Sequence, residues 1–215
     1  MKRLITICAV VGMILAISGT AQATLFTFDT VPEALLENTD NQTTISNYMT
    51  GLYGSMVTVS DAGIRDNGDT STDWIWPGRS NSDNFMRTDS SEDFEILFAI
   101  TPVTSISGLG YVFEHTTGDD IVIKGYGSNY TASGGNVENP NPSALVGTWS
   151  ANPGDNQQVS FSLSFSSDAY LLVISDSGEK DVAIDDLTVT PTPEPATIAL
   201  LGLGALSLLR RKRSV

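Results

Sequence analysis

The stretch Val159-Ser-Phe161-Ser-Leu163-Ser-Phe165 alternates an apolar residue with a serine over seven positions. Side chains of an extended chain point to opposite faces in turn, so this segment puts its apolar groups on one face and its hydroxyls on the other. A helix, at about 3.6 residues per turn, would scatter the same residues around its circumference. Less regular versions of the pattern predict strands over 25–28, 56–60, 94–100, 106–113, 121–126, 144–149, 170–174 and 182–190. Turn-rich segments separate them, among them Asp66-Asn-Gly68-Asp, Ser133-Gly-Gly-Asn136 and Asn139-Pro-Asn-Pro142. Helical periodicity is scarce: 32–38 suits one short turn of helix, and 45–52 reads either way. Many short strands with turns between them predict an all-β fold, an antiparallel jelly-roll-like β-sandwich. Residues 61–88 are mostly polar and read as a long surface loop.

The two ends of the chain do not share this pattern. Lys2 and Arg3 precede an apolar run over 4–17, and Ala21-Gln22-Ala23 has the small-x-small form of a signal peptidase site. Cleavage after Ala23 is expected, with 1–23 a signal peptide, 24–190 the sandwich domain and 191–215 a separate tail. The only cysteine, Cys8, lies in the expected signal peptide, so the exported domain has no disulfide, thiolate metal site or cysteine nucleophile.

Charge narrows the partners. The whole chain carries −14, but residues 24–193 hold 24 acidic against five basic side chains, a net of −19. Such a surface repels nucleic acid and anionic lipid and is compatible with binding divalent cations through oxygen ligands.

The tail reads Pro191-Thr-Pro193-Glu194-Pro195, then an apolar run over 196–209, then Arg210, Arg211, Lys212 and Arg213. Fourteen apolar residues make a helix of roughly 21 Å, short for a bilayer that takes about 20 residues. The basic cluster would keep its end cytoplasmic and leave the domain outside. Pro193-Glu194-Pro195, the short apolar run and the basic end together resemble the PEP-CTERM sorting signal of Gram-negative bacteria. The resemblance implies recognition by an exosortase after a transient stay in the inner membrane. It also implies removal of the tail and delivery to the cell surface or extracellular matrix, often beside exopolysaccharide. Thr192 stands where the family usually has valine.

Within the domain, Asp29 closes the first expected strand, and Asp185-Asp186 sits in the last, where the alternation slips as at a β-bulge. This arrangement resembles carbohydrate-binding jelly rolls of galactose-binding-like fold, in which acids of the first and last strands can hold a structural calcium. The same acids also fit a plain reading as solvated strand ends. Asp66, Asp69 and Asp73, and Asp119-Asp120, make further acidic turns without the spacing of an EF-hand. Trp74 and Trp76 share a face if extended, and serve either as a stacking platform for a sugar ring or as caps of the core. Trp149, in an alternating strand, reads as core, and Tyr126 and Tyr130 as a surface pair beside a Gly-rich turn.

Catalysis finds little in the sequence. His115 is the sole histidine, no Gly-x-Ser-x-Gly elbow or phosphate loop is present, and no carboxylate pair stands out for glycoside hydrolysis. The reading is a non-catalytic matrix or exopolysaccharide-associated protein. A carbohydrate-binding module using the tryptophans is the alternative, and a glycan-active hydrolase comes behind it.

Overall fold

In the computed structural model, residues 22–29, 31, 39–66, 84–88, 93–112, 121–131, 140–153, 157–176 and 182–192 are described. Ala23–Pro191 form one compact unit, and Met1–Gln22 with Thr192–Val215 fall outside it.

Eleven strands run in the order β1 (Thr24–Phe26), β2 (Val57–Ser60), β3 (Ala62–Asp66), β4 (Asn84–Thr88), β5 (Phe94–Phe98) and β6 (Val103–Val112). They continue as β7 (Ile121–Tyr126), β8 (Leu145–Ala151), β9 (Gln158–Ala169), β10 (Leu171–Asp176) and β11 (Val182–Pro191). Among the described residues, one helix, α1 (Thr39–Tyr53), lies between β1 and β2, and one 3-10 turn (Pro142–Ala144) precedes β8. The front sheet has the order β3-β4-β11-β6-β9, with β1 also paired to β11; the back sheet has the order β2-β5-β10-β7-β8. All pairings are antiparallel. From β4 onward the chain visits front, back, front, back, back, front, back, front. This is the strand order of a jelly roll, two Greek keys wound together.

The alternation that opened the sequence analysis becomes β9. Phe161 and Leu163 are buried in the core between the sheets, Val159 and Phe165 pack against it, and Ser160, Ser162 and Ser164 are exposed. Phe26, Ile64, Ile96, Ile123, Leu172 and Ile184 contribute to the same core from the other strands. Trp149 is half-buried against that core, its ring 5.7 Å from Phe161.

One expectation needs correction, and one open reading is resolved. Residues 61–88 do not form one long surface loop: their two ends pair as β3 and β4, burying Ile64, Phe85 and Met86. Each strand carries too few apolar residues to show a period. The ambiguous segment 45–52 is helix, and α1 runs from Thr39 to Tyr53.

That helix closes an edge of the back sheet. Ile45 and Met49, one turn apart, are buried, and Tyr48 and Tyr53 pack beside them. Ser46 Oγ accepts from the Val59 N–H at 2.9 Å. Thr50 Oγ1 accepts from the Val57 N–H at 2.9 Å and donates to the Val57 carbonyl at 3.1 Å. Two polar helix positions four apart thus satisfy the outer edge of β2, a row of groups that would otherwise invite pairing with another chain. Gly54, at φ 72°, ends the helix in the left-handed conformation, its N–H bonded to Thr50 O.

Candidate functional site

The sequence expected a bulge at Asp185-Asp186, and β11 has one: its register against β6 shifts between Asp185 and Thr188. Asp186 takes φ 49°, and Asp185 Oδ1 accepts from its N–H at 2.7 Å. The bulge falls where β11 changes its outer partner, from β4 at Ala183–Ile184 to β1 at Leu187–Val189. Asp29 lies just past the end of β1 and joins that strand to β4. Its Oδ1 accepts from Asn84 N–H at 3.2 Å, while Asn84 Nδ2 donates to Val31 O at 2.8 Å.

The three aspartates expected to hold calcium therefore gather around one strand junction. Asp185 is 1% exposed and lies on the outer face of the front sheet, while Asp29 is exposed. Among the described residues no group of three or more His, Cys, Asp or Glu side chains is placed to hold a metal. Calcium takes six to eight oxygens, so these carboxylates alone do not complete a site. Asp29 and Asp185 hold backbone N–H groups where two strands meet a third.

A cleft of about 490 Å³ opens at the end of the sandwich where β7 and β9 finish and β8 and β10 begin. It is lined by Gly127, Ser128 and Asn129 after β7, by Ser143, Ala144 and Val146 around the start of β8, and by Ser167, Asp168 and Tyr170 at the β9–β10 corner. Backbone bonds tie the three segments together. Gly127 N–H donates to Ala144 O, Asn141 N–H to Tyr130 O and Tyr170 N–H to Tyr126 O, each at 2.8 Å. The 3-10 turn is capped by Asn141, whose Oδ1 accepts from Ser143 N–H at 3.1 Å and from Ser143 Oγ at 2.9 Å. Ser166 Oγ donates to Val146 O at 2.9 Å. The cleft is therefore shaped by the fold rather than by loose loops.

Beside it, Tyr126 is 7% exposed in a small cluster with Leu171, Val173 and Ala144 on the outer face of the back sheet, and Tyr130 packs against that cluster. Burial, and secondarily Asp93, push the Tyr126 phenol above its ordinary value, so it stays a neutral group at physiological pH. The sequence drew attention to Tyr126 and Tyr130 but not to the cleft. Its lining comes from three separated stretches, 127–129, 143–146 and 167–170, the last two running into expected strands.

Trp74 and Trp76 lie outside the described residues, as do Pro193, Glu194, Pro195, Arg210, Arg211, Lys212 and Arg213. Among the described residues no helix is long and apolar enough to cross a membrane.

The fold is thus that of a jelly-roll sandwich. The chain also carries the PEP-CTERM protein-sorting motif, matched at residues 191–213, which implies an exported protein processed by an exosortase. No curated protein matches the chain in sequence. Among solved structures it is similar to the K2 cleaved adhesin domain of Lys-gingipain, at 13% identity over 80% of this chain and 99% of that one, with a TM-score of 0.46. It is also similar to TmCBM61 in complex with β-1,4-galactotriose, at 14% identity over 63% and 88%, with a TM-score of 0.34. A third similarity is to the CBM22-1–GH10 modules of Clostridium thermocellum xylanase 10B, complexed with xylohexaose. Here identity is 14% over 61% of this chain and 25% of that one, with a TM-score of 0.33. Likenesses this distant carry no ligand or activity across.

Proposed function

We propose that this chain is an exosortase-sorted protein of the cell surface or extracellular matrix, with a non-catalytic, exopolysaccharide-associated role. The observation that carries this reading is the sorting motif, which follows directly on the last strand of a strongly acidic sandwich. An acidic, cysteine-free domain suits a hydrated extracellular setting, where net charge keeps it soluble. The test replaces Pro193, Glu194 and Pro195 together with alanine and follows the chain by cell fractionation. The native chain is expected in shortened form at the surface or in the medium, and the variant at full tail length in the inner membrane. Equal mass and equal distribution of the two would overturn the reading.

The alternative reading is a carbohydrate-binding module in which Trp74 and Trp76 stack on a sugar ring. Changing both to alanine would then weaken retention on the matrix without changing the melting temperature, whereas a structural matrix protein would keep its retention. In either reading a calcium ion is held by Asp29, Asp185 and Asp186. Chelation then lowers the melting temperature, and a chelator-independent Tm removes the ion from the account.

A further inference from the structure

Resting on the surface-protein reading above, we propose that the cleft between Gly127 and Tyr170 is a binding site for a neutral glycan. Ser128 and Ser167 offer hydroxyls, Ser143 a hydroxyl oxygen whose proton goes to Asn141, Asn129 an amide, Asp168 a carboxylate and Tyr170 a phenol ring, over a floor that includes Ala144 and Val146. Hydroxyls and amides both donate and accept, and a carboxylate accepts from more than one donor, which matches the vicinal hydroxyls of a sugar. The tyrosine ring and the small apolar floor match the C–H face of a pyranose. The volume falls in the roughly 300–1,000 Å³ range of small-molecule sites, and the cleft is broadly open to solvent, which leaves room for a chain to continue.

Charge then selects among glycans. Among the described residues no Lys, Arg or His lines the cleft, and Asp168 is among its walls. A uronate, sulfate or phosphate would be repelled there, on a domain that already carries −19 over residues 24–193. The ligand class is therefore neutral. Preorganisation supports binding as well: the three backbone bonds across the segments hold the lining in place before any ligand arrives, which lowers the ordering cost of association.

The experiment is affinity electrophoresis of the full chain, kept in mild detergent, through gels containing dextran, pullulan, galactan or alginate. The probes are the native chain, Asn129→Ala, the cleft-filling Ser128→Tyr, and a Trp74→Ala/Trp76→Ala chain. Ser128 and Asn129 are exposed on the turn after β7, so neither change disturbs the core, and melting curves check this. The expected result is retardation in at least one neutral gel and none in alginate. Both cleft variants should then show apparent affinity about tenfold weaker or less, as for the loss of one or two buried hydrogen bonds. Passage through every neutral gel unretarded overturns the proposal. So does retardation that survives both cleft changes, and its loss in the tryptophan variant would then place binding there. Equal retardation by alginate overturns the neutral class. None of these outcomes touches the location of the chain in the cell, which the sorting-motif variant tests separately.

Discussion

Glu95 sits between Phe94 and Ile96, whose side chains enter the core, and so points to the outer face of the back sheet, where it is only 3% exposed. Ser60, its cross-strand partner, donates to Oε2 at 2.6 Å. Burial is the main cause that lifts its carboxyl from the ordinary 4.5 to about 7; the Ser60 bond opposes this, and Asp61 and Asp93 add to it. The folded chain thus binds the Glu95 proton more tightly than the unfolded chain does. By linkage, stability is intact below pH 4.5 and falls as pH rises towards about 7, by on the order of 3 kcal/mol at most. Glu95→Gln keeps a hydrogen-bonding partner for Ser60 and removes the charge. Its melting temperature should exceed the native value at pH 8 and match it near pH 4, and a constant difference across that range would show that ionisation is not the cause. A second residue-scale test concerns Gly125 and Gly147, a cross-strand pair of β7 and β8 beneath the Phe165 ring. A Cβ at Gly147 would lie 2.9 Å from Phe165 Cδ1, and one at Gly125 would overlap the ring. Gly125→Ala is expected to cost about 1–3 kcal/mol in urea unfolding. Adding Phe165→Leu should recover part of that, since the clash is with the ring edge.

The element that sequence reasoning served least was α1, and the reason is physical. Its threonines and asparagines are poor helix formers, and Ser46 and Thr50 occupy the face turned to β2, where a periodicity search expects apolar residues. They are there because the edge of β2 needs hydrogen-bonding partners, a demand invisible until the strand order is known. Strands β3 and β4 were missed for a related reason, since each is short and borrows its burial from β11 and α1. By contrast β7 was legible to the residue, and the bulge in β11 showed as a slip in alternation, because both are written in local pattern. The cleft was not legible, for it joins three stretches that only the sandwich brings together. The edge-capping role of α1 predicts a cost when it is removed. Ser46→Ala with Thr50→Val leaves the Val57 and Val59 N–H groups unpaired by side chains, at about 1–3 kcal/mol for each that stays buried. The double variant should also self-associate through the freed edge, which sedimentation of concentrated samples would detect; a stable monomer would mean the helix body alone guards β2.

Across the sandwich the register fixes where the chain enters and leaves. Thr24 pairs with Val189, and Pro191 pairs with Val103, so the start of β1 and the end of β11 lie at the same end of the front sheet. The cleft belongs to that end too. Ala169 at the close of β9 also pairs with Val103, and in the back sheet Tyr126 at the close of β7 pairs with Leu171 at the start of β10. Only Thr192 separates the last strand residue from Pro193-Glu194-Pro195. The register thus brings the cleft to the end of the sandwich at which the last strand finishes, a placement that depends on β9 and β11 both pairing with β6 at Val103.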